Sequence, residues 1–259
     1  MTPWITKPVP FNIGQGAAAA GGGAGYTSGI GSDGDMDTYT GSSSSSGQPS
    51  GLGTDALSLS GTSYAASSST GQLIPVASDW TFHMFSLIDT FENSWMLGAN
   101  ISDSTNKLRI EYTTAASSTI KNIALQFSDD SGNFTSLTVV VTATYTTGVW
   151  HLIGVTYEKS SGTLSLYIDG VLAGDNGGSS STDGFGTVTD YVFFNISAEA
   201  YDGKATEMVT RNTALTLANF ITLWDSGDGL TADQVEQGSI LVYYDGQTTS
   251  APITNIAIP

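Results

Sequence analysis

The stretch from Gly148 to Gly170, GVWHLIGVTYEKSSGTLSLYIDG, restricts the fold more than any other part of the chain. From Trp150 to Tyr157 both alternating faces are largely apolar, the pattern of a strand buried between layers. From Thr163 to Asp169 the alternation is clean. Leu164, Leu166 and Ile168 point one way, and Thr163, Ser165, Tyr167 and Asp169 the other. The polar link Glu158–Gly162 joins the two strands. Asp169-Gly170 then supplies the left-handed conformers that a tight hairpin into Val171–Ala173 needs.

Similar strands fill residues 54 to about 212. Leu57 and Leu59 alternate with serines, and Trp80, Phe82 and Met84 alternate with Thr81, His83 and Phe85. Leu108, Ile110 and Tyr112 face away from Lys107, Arg109 and Glu111. Ile123, Leu125 and Phe127, then Leu137–Val141 and Tyr191–Ile196, continue the pattern. Turn chemistry at Ser131-Gly132-Asn133, Asn176-Gly177-Gly178 and Asp183-Gly184 separates them. Many short strands at near-regular spacing predict a sandwich or barrel. Beyond them, Leu217, Phe220, Ile221 and Trp224 have helical spacing behind Thr216 as N-cap, and Thr231–Gln234 has a capping-box pattern. Ser239–Tyr244 reads as a strand, and Ala251–Pro259 as an apolar extended piece suited to an edge.

The order of aromatic, turn and strand residues in 148–170 resembles the laminin-G-like branch of the concanavalin A-like lectin/glucanase jelly rolls. The likeness runs over roughly 54–225. ALSLSGTSY at 56–64 resembles the family's opening strand pair, DWTFHMFS at 79–86 its D-F-T-I-S-x-W strand, and WMLG at 95–98 the strand that follows. Asp202-Gly203-Lys204 and Asn212–Thr216 resemble the closing G-x-I-D-E-V and R-A-L-S motifs. Here Ala205, Thr206 and Thr213 replace the family's aliphatic, Asp and Arg, so a rim Asp near the family's calcium or ligand site is missing from this motif. The resemblance implies an all-β, two-sheet antiparallel jelly-roll sandwich. An extended N-terminal arm (1–53) precedes it, the jelly roll occupies 54–225, and an extension with short helices and a strand follows (226–259).

Residues 1–53 hold 13 of the 31 glycines and a five-serine run at Ser42–Ser46, too little apolar surface to offset ordering entropy alone. Trp4, Ile5, Val9, Phe11 and Ile13 stand among Pro3, Pro8 and Pro10, an extended apolar stretch suited to a partner's groove. The first 13 residues carry one Lys and no apolar core of a secretory signal, and no segment reaches the roughly 18 apolar residues of a membrane span. The sequence therefore predicts neither ordinary secretion nor membrane insertion.

The formal charge of −17, from 24 acids against 7 Lys and Arg, repels phosphate backbones and argues against nucleic acid as a partner. With no Cys, the fold relies on its core. Asp33, Asp35 and Asp37 begin like a calcium loop, without its Gly and distant Glu; a solvated acidic turn is the alternative. Asp183 and Asp190 flank a Gly-rich loop, and with Trp224 they are candidates for holding a glycan. Trp95, Tyr145 and Tyr191 are further aromatics for a sugar platform, whereas Trp80 and Trp150 read as core.

Catalysis lacks a visible constellation. Relatives on this fold that cleave glucans carry carboxylates at alternate strand positions, and no such run exists here; Glu199 and Asp202 are three apart and would face opposite ways. His83 and His151 lie in strands with aromatic neighbours, and no G-x-S-x-G elbow or Walker-type loop occurs. Three functions stay open. The first is a non-enzymatic structural or adhesive protein on a phage or virus surface, as a capsid decoration or tail component. Its arm would dock other virion proteins and its jelly roll would touch cell-surface glycans, in multiple copies or as a homo-oligomer. The second is a carbohydrate-binding lectin module of a bacterial, extracellular surface protein, and the third a glycosidase.

Overall fold

The computed structural model describes residues 38–39, 42–44, 47–59, 65–67, 74–75, 77–90, 93–99, 107–114, 121–129, 131–178, 182–186, 191–194 and 201–244. Two antiparallel sheets stack face to face. The first runs β1 (Thr38–Tyr39), β4 (Ala65–Ser67), β13 (Tyr191–Phe193), β6 (Ser94–Ala99), β7 (Lys107–Thr114), β8 (Lys121–Ser128) and β9 (Phe134–Val140). The second runs β12 (Val171–Asp175), β11 (Thr163–Ile168), β10 (Trp150–Glu158), β5 (Trp80–Ile88), β14 (Gly203–Arg211), β3 (Ala56–Leu59) and β2 (Ser42–Ser44). A last strand, β15 (Ile240–Tyr244), pairs with the end of β14 through Met208–Arg211. The predicted two-sheet antiparallel sandwich is the fold. Strands β1 and β2, from the span read as the arm, pair with β4 and β3, and β15 ties the span read as an extension to β14.

The turn between β11 and β12 has the predicted form, with Asp169 at φ 53° and Gly170 at φ 74°. Inner-facing Leu164, Leu166 and Ile168 meet Leu108, Ile110 and Leu125 of the other sheet in one core. Near its centre the Ser86 hydroxyl lies within 3.1 Å of the hydroxyls of Tyr112, Tyr145 and Tyr201, which satisfies four buried polar groups together. Tyr145, one of the aromatics considered for a sugar platform, is therefore a core residue.

β10 is buried on both faces, as its composition predicts. Ile153, Val155 and Tyr157 enter the inter-sheet core, while Trp150 and Leu152 face outward into a second apolar cluster. That cluster is closed by α1 (Leu217–Trp224), which lays Phe220 and Leu223 onto the sheet. The helix begins where predicted. Thr216 Oγ1 accepts from Asn219 N, and Thr216 N donates to Asn219 Oδ1 at 2.9 Å, a reciprocal cap. Thr81 on β5 holds the approach to the helix, donating to Thr213 O and accepting from Leu215 N. Phe220 stacks on Tyr167 at 4.4 Å and sits over Gly154, where a Cβ would overlap the ring. Beside it, Gly51 N donates to Asp228 O at 2.7 Å and brings Leu52 onto the same cluster.

The predicted helix at Thr231–Gln234 is a single 3₁₀ turn, Ala232–Gln234, without the capping box. Thr231 Oγ1 instead donates to Asp233 and accepts from Gln234 Nε2. What holds this segment is Arg211, whose side chain is fully buried. Its guanidinium donates to Ala232 O, Val235 O, Glu236 O and Ser239 Oγ, and through Nε to His83 Nε2 at 3.2 Å. Glu207, at φ 53° in a bulge of β14, accepts from Ala232 N and from the Tyr243 hydroxyl. Burial pulls the Arg211 pKa down to about 10, still charged at neutral pH. Burial, and then the Arg211 charge, holds His83 well below the usual imidazole range.

Two outcomes follow from this packing. Gly154→Val should destabilise the fold by about 1–3 kcal/mol through overpacking against Phe220, measured by urea unfolding. In a Phe220→Ala background, itself about 3–5 kcal/mol less stable, the same change should cost far less; additive costs would contradict the contact. Because His83 is neutral when folded and free to protonate when unfolded, its contribution is complete above about pH 6.5 and declines as pH falls below it. The thermal midpoint of the native protein should therefore drop between about pH 7 and about pH 5 more steeply than that of His83→Gln; parallel profiles would refute the assignment.

Candidate functional site

At one end of the sandwich three loops converge because two strand ends are neighbours. Trp80 at the start of β5 pairs with Tyr157 near the end of β10. The loop entering β5 (Ala77–Asp79) therefore lies beside the β10–β11 turn (Lys159–Gly162). Asp79 Oδ1 accepts from Lys159 N at 2.8 Å and locks the two together. The third loop, 182–186, is tied by Ala77 N donating to Phe185 O at 2.8 Å. Gly184, at φ 85°, passes so close that a Cβ there would lie 2.7 Å from Ala77 Cα. Phe185 drops into the core, where it packs on Phe127 at 5.7 Å; Phe127 meets Tyr157 at 5.0 Å, and Tyr157 stacks on Trp80 at 5.9 Å. An aromatic base thus supports a polar rim.

Between the loops lies an open depression of about 480 Å³ lined by Ala77, Ser78, Asp79, Lys159, Ser160 and Thr182. Its volume falls in the range of small-molecule sites. Its described lining is hydroxyl, carboxylate, ammonium and the Ala77 methyl, and none of these residues is aromatic. Asp183 follows Thr182 as an exposed residue. Asp129 sits behind, buried, accepting from Ser131 N, Asn133 N and Asn133 Nδ2. The Tyr157 phenol registers this setting. Burial, then Asp129, Asp183 and Asp79, push its pKa up to about 12, against the pull of a hydrogen bond with the Gly184 backbone. Such a site can exchange hydrogen bonds with a hydroxyl-rich ligand.

Neither histidine of the chain reaches this rim. His83 accepts from Arg211, and His151 stands between Asp169 (2.7 Å) and Thr146, as a packed strand residue. Among the described residues no group of three or more His, Asp and Glu side chains is placed to hold a metal ion. None of the described helices is long and apolar enough to cross a membrane.

Of the residues singled out from sequence, Asp183 is at the rim. Trp224 lies elsewhere, half-buried on the outer face of the eight-stranded sheet, with its ring stacked 6.3 Å from Phe85. Phe85 is six residues along β5 from Asp79, roughly 20 Å of strand. Asp190, the carboxylates Asp33, Asp35 and Asp37, and the arm residues Trp4, Ile5, Val9, Phe11 and Ile13 lie outside the described residues, as do the side chains of Trp95 and Tyr191. Ser78, Asp79, Lys159, Ser160 and Thr182 were not singled out from sequence. The usable signal was indirect: once Trp80 and Tyr157 are paired, the polar residues just outside both strands must meet.

A laminin-G-type family model, described as the concanavalin A-like lectin/glucanases superfamily, matches residues 59–219. No curated protein matches the sequence. Among solved structures, the enzymatically active domain of tailspike protein 2 from bacteriophage CBA120 is 14% identical, with a TM-score of 0.61 over 86% of this chain and 35% of that one. The chain thus spans about a third of that protein. A candidate carbohydrate-binding protein from Bacteroides ovatus is 18% identical, with a TM-score of 0.55 over 78% of this chain and 55% of that one. The binding domain of botulinum neurotoxin serotype G is 12% identical, with a TM-score of 0.51 over 68% of this chain and 43% of that one. At these identities the likenesses show a shared sandwich.

Proposed function

The chain belongs to the concanavalin A-like lectin/glucanases superfamily, and from that premise we propose that it is a non-catalytic carbohydrate-binding protein displayed on a phage or virus particle. The sugar is held in the rim depression, and the N-terminal arm is the anchor to other virion proteins. The observation that carries the binding reading is the depression itself, where Ser78, Asp79, Lys159, Ser160 and Thr182 present donors and acceptors around about 480 Å³. Cell-surface glycans are the class of ligand with matching hydroxyls. The particle placement is supported by the tailspike likeness across most of the chain. The Gly- and Ser-rich first 53 residues and their apolar stretch from Trp4 to Ile13 support it further. A lectin module of a bacterial surface protein is the second reading, favoured by the Bacteroides ovatus likeness.

Absence of catalysis is part of the proposal. Glycoside cleavage uses two carboxylates facing one bond. On the outer face of the seven-stranded sheet Glu111 is paired with Arg109 at 3.5 Å and accepts from Gln126, which commits it to neighbours. At the rim Asp79, whose Oδ1 accepts from Lys159 N, is the one carboxylate among the described lining residues.

Two experiments test the two halves. Ser160→Trp fills the depression without touching the core, so glycan binding measured by titration calorimetry should fall at least about tenfold with the thermal midpoint unchanged. Binding that survives would move the site elsewhere. Removing residues 1–37, which leaves every described strand in place, should abolish incorporation into particles during infection. Undiminished incorporation would sink the anchoring role.

A further inference from the structure

The charges around the rim separate two classes of sugar. Resting on the rim as the glycan site, we infer that it takes uncharged, hydroxyl-rich oligosaccharides and excludes those bearing carboxylate or sulfate groups. The lining supplies one carboxylate, Asp79, and one ammonium, Lys159, and Asp183 stands next to Thr182 on the exposed lip. Asp129 lies buried beneath, so among the described residues Asp79, Asp129 and Asp183 stand around the one ammonium of the lining. The same three carboxylates all raise the Tyr157 pKa, a second sign that they act on one volume. The background reinforces them, because the chain as a whole carries −17.

The hydrogen-bonding chemistry points the same way. Ser78, Ser160 and Thr182 carry hydroxyls that both donate and accept, and the carboxylates accept from sugar hydroxyls. An anionic sugar would find in Lys159 the one cationic partner of the described lining while its charge faced Asp79 and Asp183. It would also lack the planar fork with which Arg grips a carboxylate, since no Arg lines the depression. Among the described lining residues none is aromatic, so there affinity rests on hydrogen bonds and the density of hydroxyls decides it.

The test is a printed array of oligosaccharide pairs sharing one core, neutral in one member and sialylated, sulfated or uronic-acid-bearing in the other. It is probed with the full chain at about 0.02 M and about 0.3 M salt, where screening differs several-fold in range. The neutral member should bind at least about tenfold better at low salt, and the gap should narrow at high salt. The double variant Asp79→Asn with Asp183→Asn should narrow it at low salt as well, because an amide oxygen in place of the Asp79 carboxylate can still accept the Lys159 N–H. Lys159→Gln removes the one cation of the described lining, so it should leave the gap between neutral and acidic members as wide or wider. Equal or tighter binding of the acidic members, lost in Lys159→Gln, would overturn the selectivity and leave the rim as the site. Binding of no member, or binding indifferent to Ser160→Trp, would overturn the rim site and this inference with it.

Discussion

The eight-stranded sheet is apolar on both faces, and that constraint organises the rest of the molecule. Trp80, Phe82, Met84, Ile153 and Val155 require the second sheet on one side. Phe85, Leu87, Trp150 and Leu152 require a cover on the other, and no third sheet exists among the described strands to supply it. α1 and the 228–239 segment make that cover. Gly154 makes room for Phe220, and the reciprocal cap at Thr216 sets where the helix begins. At buried areas of about 150–250 Å² per aromatic ring, and about 25 cal/mol per Å², the outward aromatics are worth several kcal/mol only if this cover stays closed.

A cover made of short irregular pieces cannot satisfy its own backbone. Here the closure is polar: Arg211 collects three carbonyls and the Ser239 hydroxyl, and Glu207 collects an amide and a phenol. A buried cation is costly unless its donors are taken up, and with His83 added five acceptors take them up here. The rim at one end of the sheet inherits its rigidity from the same packing. Trp80, Tyr157, Phe127 and Phe185 form its floor, so the loops that line the depression stand on the core.

The sandwich was legible because period-two alternation at 80–84, 108–112 and 164–168 reports a buried face directly, and Asp169-Gly170 reports a turn. The doubly buried β10 was legible from composition alone. The closing network was not. An Arg at a strand end reads as surface charge, and its partners are backbone carbonyls at 232–236, which leave no mark in side-chain pattern. Thr231–Gln234 has the letters of a capping box, but the segment follows Arg211 and turns once instead of continuing as a helix. The rim was partly legible. Asp183 was visible as a loop acid, whereas Asp79, Ser160 and Thr182 are far apart in sequence and meet only through the pairing of Trp80 with Tyr157.

The proposed ligand site lies on the end of the sandwich and not on either sheet face. Backbone amide NMR during titration with a neutral oligosaccharide tests this most directly. Shift changes should saturate together at Ala77–Asp79, Lys159–Ser160 and Thr182–Gly184, with Arg109, Glu111, Gln126 and Trp224 unmoved. Saturating changes centred on Arg109, Glu111 and Gln126, or on Trp224, with a silent rim would contradict it.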